Sequence, residues 1–193
     1  FFQACIMYYV TTLMGLPETS SVLILAISIA GSLLLYPFVN RWAKRKGKRL
    51  PIICGCVVFS IAELVICFSD YIPGNKMLMA CIFALFVSFP FAVLNVLPAS
   101  MMADIIQYDT IRSGINQEGI FGAARSFIVK MGNSFAIMIV PSLTVIGAAA
   151  GENVGKLGLK CTAVAGGLFC IAAVIAFLKY EEQDVLTCIR NQE

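Results

Sequence analysis

Three charged side chains fall inside long apolar stretches of this sequence: Glu63, Arg125 and Lys130. On insertion scales a charge at the centre of a bilayer costs roughly 2.5–3.5 kcal/mol, so Arg125 and Lys130 facing lipid together would cost about twice that. Two cations on one apolar segment therefore point to a watery cavity or to a partner. Their neighbours support this. Gly119, Gly122, Ser126, Lys130 and Asn133 recur every three or four residues and share one stripe of a helix. The opposite side carries Phe121, Ala124, Ile128, Met131, Phe135 and Met138. Arg125 flanks the stripe, about 100° from Ser126 and about 140° from Lys130 on an ideal helix. The plainer alternative is a tightly packed helix with an internal ion pair, Lys130 with Glu63. For Glu63 itself a structural or pairing role is favoured, because no other polar residue clearly shares its face.

A second candidate stretch holds Pro90 and Pro98, with Ser88, Ala92, Asn95 and Ala99 along one side. Proline within a helix frees an upstream carbonyl and can bend the axis. Broken spans of this kind often line sites in transport proteins, and a simple kink is the alternative. The rest of the chemistry is narrow. With no histidine and no CxxC motif, a zinc site has few ligands and Ser–His catalysis is excluded. Cys5, Cys54, Cys56, Cys67, Cys81, Cys161 and Cys170 lie in apolar segments, where cysteine behaves as a small hydrophobe. No enzyme, metal or cofactor is expected.

The elements that must position these residues follow from composition. Hydrophobic residues make up 60% of the 193, charged residues 13%, and mean hydropathy is +0.89. A soluble domain of this size needs more polar surface. The apolar runs match the roughly 20 residues needed to span a bilayer core and show no strand-like alternation. The expected spans are Phe1–Leu16 (cut at its start), Ser20–Asn40, Pro51–Ser69, Met77–Ala103, Gly119–Ala148 and Leu159–Lys179. The fold class is an all-α membrane protein, an integral bundle in contact with membrane lipid. The chain opens on Phe1 in mid-span with no signal-peptide pattern, so further chain is expected ahead of it.

Orientation comes from charge. Arg41, Lys44, Arg45, Lys46, Lys48 and Arg49 put six cations into the nine residues between the second and third spans, with no acid among them. The positive-inside rule makes this link cytoplasmic. The flanking spans argue against a nucleic-acid surface. Alternation then places Asp70–Lys76 and Ala149–Gly158 outside, with Asp104–Glu118 and the tail Tyr180–Glu193 inside.

The stretch ADIIQYDTIRSGINQEGIFGAARSFIVKMGN, Ala103–Asn133, closely resembles the glycoside–pentoside–hexuronide:cation symporters, the melibiose-permease-like branch of the major facilitator superfamily. The pattern is an Ala-Asp closing the tenth span, a Tyr four residues later, a loop Glu, and a Lys twelve residues after that: Asp104, Tyr108, Glu118 and Lys130. The basic link NRWAKRKGKR resembles that superfamily's loop between spans eight and nine. The match is to spans seven to twelve, so the resemblance implies that residues 1–180 form the C-terminal six-helix bundle and 181–193 a cytoplasmic tail, in a bacterial inner membrane. It implies a sugar, glycoside or uronide carried with Na⁺ or H⁺ by alternating access, between this bundle and an N-terminal one that holds most of the coupling-cation carboxylates. Lys130 inherits the cavity lysine, and Ser126 matches a small hydroxyl position near the sugar. Arg125 stands where galactoside-type members carry glutamine, and Asn95 where they carry a tryptophan. Both departures weigh against galactoside specificity, and Arg125 beside the stripe suits an anionic sugar. Asp104, Tyr108, Asp109, Arg112 and Glu118 would belong to the cytoplasmic gate, modified by Gln107 in place of the usual acid. A lipid or amphiphile carrier on the same scaffold and a non-transporting membrane subunit are the alternative readings.

Overall fold

A computed structural model describes residues 2–67, 76–147 and 155–179. The two links expected outside and the tail 180–193 lie outside the described residues, apart from 76 and 155–158. The described chain is helical throughout: α1 (Phe2–Tyr8), continuing as a π-helical segment (Tyr9–Leu13), α2 (Glu18–Lys46), α3 (Arg49–Cys67), α4 (Lys76–Ser113), α5 (Glu118–Thr144) and α6 (Lys156–Leu178). The five helices α2 to α6 are long and apolar enough to cross a membrane.

The helices are longer than hydropathy suggests, and two expected loops are corrected. The basic link is almost entirely helix. α2 runs through Arg41, Lys44, Arg45 and Lys46, and α3 resumes at Arg49. Arg, Ala and Lys propagate a helix readily, and cations near a helix C-terminus meet its negative end. The stop is Gly47, whose φ of 85° lies in the left-handed region. Likewise α4 does not end at Ala103 but continues ten residues to Ser113, so Asp104, Tyr108, Asp109 and Arg112 sit on a helix. It ends where Gly114 takes φ 72°. Asn116 Oδ1 then accepts the backbone N–H of Glu118 at 3.0 Å, a helix-start interaction at α5. α4 also passes through Pro90 and Pro98 without a break.

Packing fixes which helices form the centre. α2 lies mainly on α4, α3 on α6 and α4, and α5 on α6 with only a light touch on α4. Small residues allow the close approaches. A methyl at Gly31 would sit 2.9 Å from Ser88 Cβ, and one at Gly55 would sit 2.8 Å from Val93 Cγ1. Two apolar cores result. One gathers Tyr9, Val10, Ile24, Ile66, Val87 and Leu159. The other gathers Val39, Ile52, Cys56, Val93, Leu97 and Met101 near the basic end.

Candidate functional site

α5 is the helix its own bundle covers least. Residues 122–135 are exposed without interruption, and only Ala136, Val140 and Thr144 are buried, all in its later half. No atom lies within 4 Å of a methyl built at Gly119, Gly122 or Gly132. Ser126, Lys130 and Asn133 are exposed together with them. The sequence-derived stripe is thus an open face of the bundle. The apolar side is open too, with Ile128 68% and Met138 63% exposed.

Arg125 departs from the stripe. Its side chain lines a crevice of about 520 Å³ between α4, α5 and α6, with Pro98, Met101, Ile128 and Phe177. The structure therefore separates the two cations of α5: Lys130 on the open face, Arg125 over an apolar groove. Asn95 is exposed on α4, and its amide donates to Phe91 O at 2.7 Å, an upstream turn in the proline-bearing stretch. Ser88 and Ala92, expected on the same side as Asn95, are instead buried; Ser88 donates to Ala84 O and faces Gly31. That line of small residues serves α2–α4 packing at one end and an open surface at the other.

The expected gate residues gather at the basic end. Asp104 Oδ2 accepts from Lys48 Nζ at 2.6 Å, and Lys48 also donates to Ser100 O at 3.2 Å. Both side chains are 21% exposed. Arg112 Nη1 donates to the Tyr108 hydroxyl at 3.3 Å, one helical turn apart. Asp109 is half-buried on α4, and Glu118 is exposed as the first residue of α5. Arg49 donates to Leu178 O, an orphan carbonyl at the end of α6. The α2–α3 turn is thereby tied to both α4 and α6. Sequence reasoning saw Lys48 and Arg49 only as charge; nothing local in the sequence marks their partners 56 and 129 residues away.

Glu63 does not meet Lys130. It is 1% exposed, enclosed by the π-helical segment, α3 and α6. The Tyr9 hydroxyl stands 3.3 Å from its Oε2 and 3.4 Å from Thr162 Oγ1. Neither Tyr9 nor Thr162 was singled out in the sequence, since a tyrosine and a threonine in apolar runs carry no signal of their own.

The family described as MFS/sugar transport protein matches residues 1–181. The chain is 25% identical over 172 residues to the raffinose carrier protein of Pediococcus pentosaceus, covering 88% of this chain and 25% of that protein. It is 28% identical over 136 residues to an uncharacterized symporter of Synechocystis sp., covering 70% of this chain and 24% of that protein. The chain thus spans about a quarter of the length of the curated relatives it matches. No solved structure matches it.

Proposed function

This chain belongs to the MFS/sugar transport protein family, and from that premise we propose that it forms one wall of a cation-coupled sugar symporter. The observation that carries the reading is the uncovered polar face of α5. Lys130 and Ser126 stand exposed on a membrane-length helix that its own bundle leaves open. Lipid is a costly neighbour for an ammonium group; a second six-helix bundle enclosing a watery cavity is a favourable one. In this reading residues 1–180 are the C-terminal bundle of a twelve-span carrier in a bacterial plasma membrane. The basic end and the tail 181–193 are cytoplasmic, and the Na⁺ or H⁺ is bound mainly by the opposing bundle.

Each candidate residue then has a role. Lys130 offers three donors to sugar hydroxyls or pairs with an acid of the opposing bundle. Ser126, one turn earlier, adds a hydroxyl to the same face. Asn95 donates hydrogen bonds where a stacking ring would accept a sugar plane. Lys48–Asp104, with Tyr108, Asp109, Arg112 and Glu118, supplies charge pairs that form on closing and part on opening.

The crevice beside Arg125 favours a second reading, an amphiphile carrier. Its lining is apolar apart from one guanidinium, which suits an acyl chain with an anionic head. The two are separated by uptake into proteoliposomes holding the full-length protein, comparing raffinose, a neutral pentoside, a glucuronide and a lysophospholipid. The symporter reading expects cation-driven accumulation of one sugar, lost in Lys130→Gln. Full accumulation by Lys130→Gln overturns the site, and lysophospholipid transport without sugar uptake overturns the substrate class. If Arg125→Gln weakens the glucuronide more than the pentoside, Arg125 selects anionic sugars; an equal effect on both removes that role.

A further inference from the structure

Only part of the basic end is engaged within the bundle. Lys48 holds Asp104 and the Ser100 carbonyl, and Arg49 holds the Leu178 carbonyl. Arg41 and Arg45 are exposed and make no hydrogen bond or ion pair among the described residues. They stand one turn apart on α2, where like charges repel. Residues 41–49 contain no acid to relieve them, and Asp104, the acid that reaches this turn, is occupied by Lys48.

Aromatic rings accompany the two arginines. Arg41 and Arg45 line a crevice of about 310 Å³ together with Phe38 and Trp42. The Trp42 ring stacks on Phe89 of α4, with centroids 6.2 Å apart and planes at 30°. The Phe38 ring lies 6.4 Å from it. The indole is thereby held against α4, while its N–H makes no hydrogen bond among the described residues.

The sequence of α2 sets the depth of this crevice. The apolar stretch runs to Asn40, and Arg41 and Arg45 close the span. Leu34, Phe38, Arg41 and Arg45 follow at steps of four, three and four, so they share one stripe of the helix. Its apolar members are open, Leu34 80% and Phe38 60% exposed. Half of a roughly 30 Å hydrocarbon core corresponds to about ten helical residues. Leu34 and Phe38 therefore lie at acyl-chain depth. The guanidiniums extend to the headgroups, and Trp42 sits at the level tryptophan prefers.

We propose that this crevice binds an anionic phospholipid of the leaflet at the basic end. Its phosphate sits between Arg41 and Arg45, its ester region against Trp42, and an acyl chain runs along Phe38 and Leu34. Guanidinium groups pair with phosphate oxygens two at a time, and the phosphate removes the repulsion between the two arginines. A zwitterionic head would bring an ammonium beside Arg41, Lys44 and Arg45, three cations in five residues. The face assigned to the opposing bundle lies elsewhere, on α5, which packs on α6 rather than on α2. The inference stands apart from the transport reading, since it needs only that α2 crosses a bilayer.

Fluorescence quenching tests it on the full-length protein in phosphatidylcholine vesicles. Trp42 emission is the difference between the parent and Trp42→Phe. Phosphatidylglycerol brominated on its acyl chains should quench that emission at a lower mole fraction than phosphatidylcholine brominated alike. The preference should fall about fivefold for each arginine removed, in Arg41→Gln and in Arg45→Gln. It should stay near the parent value in Lys44→Gln, which loses the same charge outside the crevice. Excess inorganic phosphate at matched ionic strength should leave it unchanged. Equal quenching by the two lipids overturns the proposal, because the crevice then does not select charge. A loss in Lys44→Gln as large as in the arginine variants does the same, because the attraction then belongs to the basic end as a whole. Absence of quenching by either lipid means that protein covers Trp42, which removes the site. Displacement by inorganic phosphate makes a free anion the occupant and overturns the lipid.

Discussion

Replacing Gly55 by alanine should destabilise the protein, although alanine is the better helix former. The propensity gain in a helix interior is about 0.5–1 kcal/mol. Against it stands the new methyl, 2.8 Å from Val93 Cγ1 and 3.1 Å from Val93 Cβ. Valine on a helix has one strongly preferred rotamer, so Val93 cannot turn aside, and α3 and α4 must separate. Overpacking of this kind costs about 1–3 kcal/mol, leaving a net loss of up to roughly 2.5 kcal/mol, about 1 kcal/mol at mid-range, once propensity is subtracted. Gly132→Ala is the control: it has the same propensity term and nothing within 4 Å, so it should be neutral or stabilising. Thermal unfolding of the purified protein in detergent, followed by thiol labelling, reports both, since Cys5 and Cys56 are buried until the bundle opens. Adding Val93→Ala to Gly55→Ala should cost less than the two single losses summed. If Gly55→Ala raises the midpoint as much as Gly132→Ala, the α3–α4 contact is not as close as described and the argument fails.

Lys48 and Asp104 should couple by about 1–2 kcal/mol in a double-mutant cycle with Lys48→Gln and Asp104→Asn, between the values for exposed pairs and for charge-assisted hydrogen bonds; a coupling near zero would remove the pair as a tie between the α2–α3 turn and α4. Arg49→Gln should lower stability by about 1 kcal/mol by freeing the Leu178 carbonyl, and a midpoint unchanged from the parent would show that water satisfies that carbonyl equally well. Ile115→Cys, in a cysteine-free background, should label with a membrane-impermeant thiol reagent only after the cytoplasmic face is opened to it. Labelling on intact cells would invert the topology.

Hydropathy located the five long helices because lipid contact is written directly in side-chain polarity. It misplaced two ends because a helix need not stop where lipid stops. Arg41 to Lys46 and Asp104 to Ser113 leave the apolar zone but contain no glycine or proline to break the helix, and the actual stops are Gly47 and Gly114 in left-handed conformations. The polar stripe of α5 was legible because its periodicity is local, and the structure leaves that face open. The direction of Arg125 was not, because it depends on where α4 and α6 lie. The surroundings of Glu63 were illegible for the same reason. Tyr9, Glu63 and Thr162 are separated by 54 and 153 residues along the chain, and only the packing of three helices joins them.

The bareness of α5 also bears on how the protein is made. Of the five long helices it is the least apolar, and it carries Arg125 and Lys130 into the membrane with few contacts to hold it. The translocation machinery therefore receives a segment that partitions into lipid poorly by itself, followed at once by α6, the helix on which it chiefly leans. Retention of α5 in the bilayer is therefore expected to depend on α6 following it into the bundle.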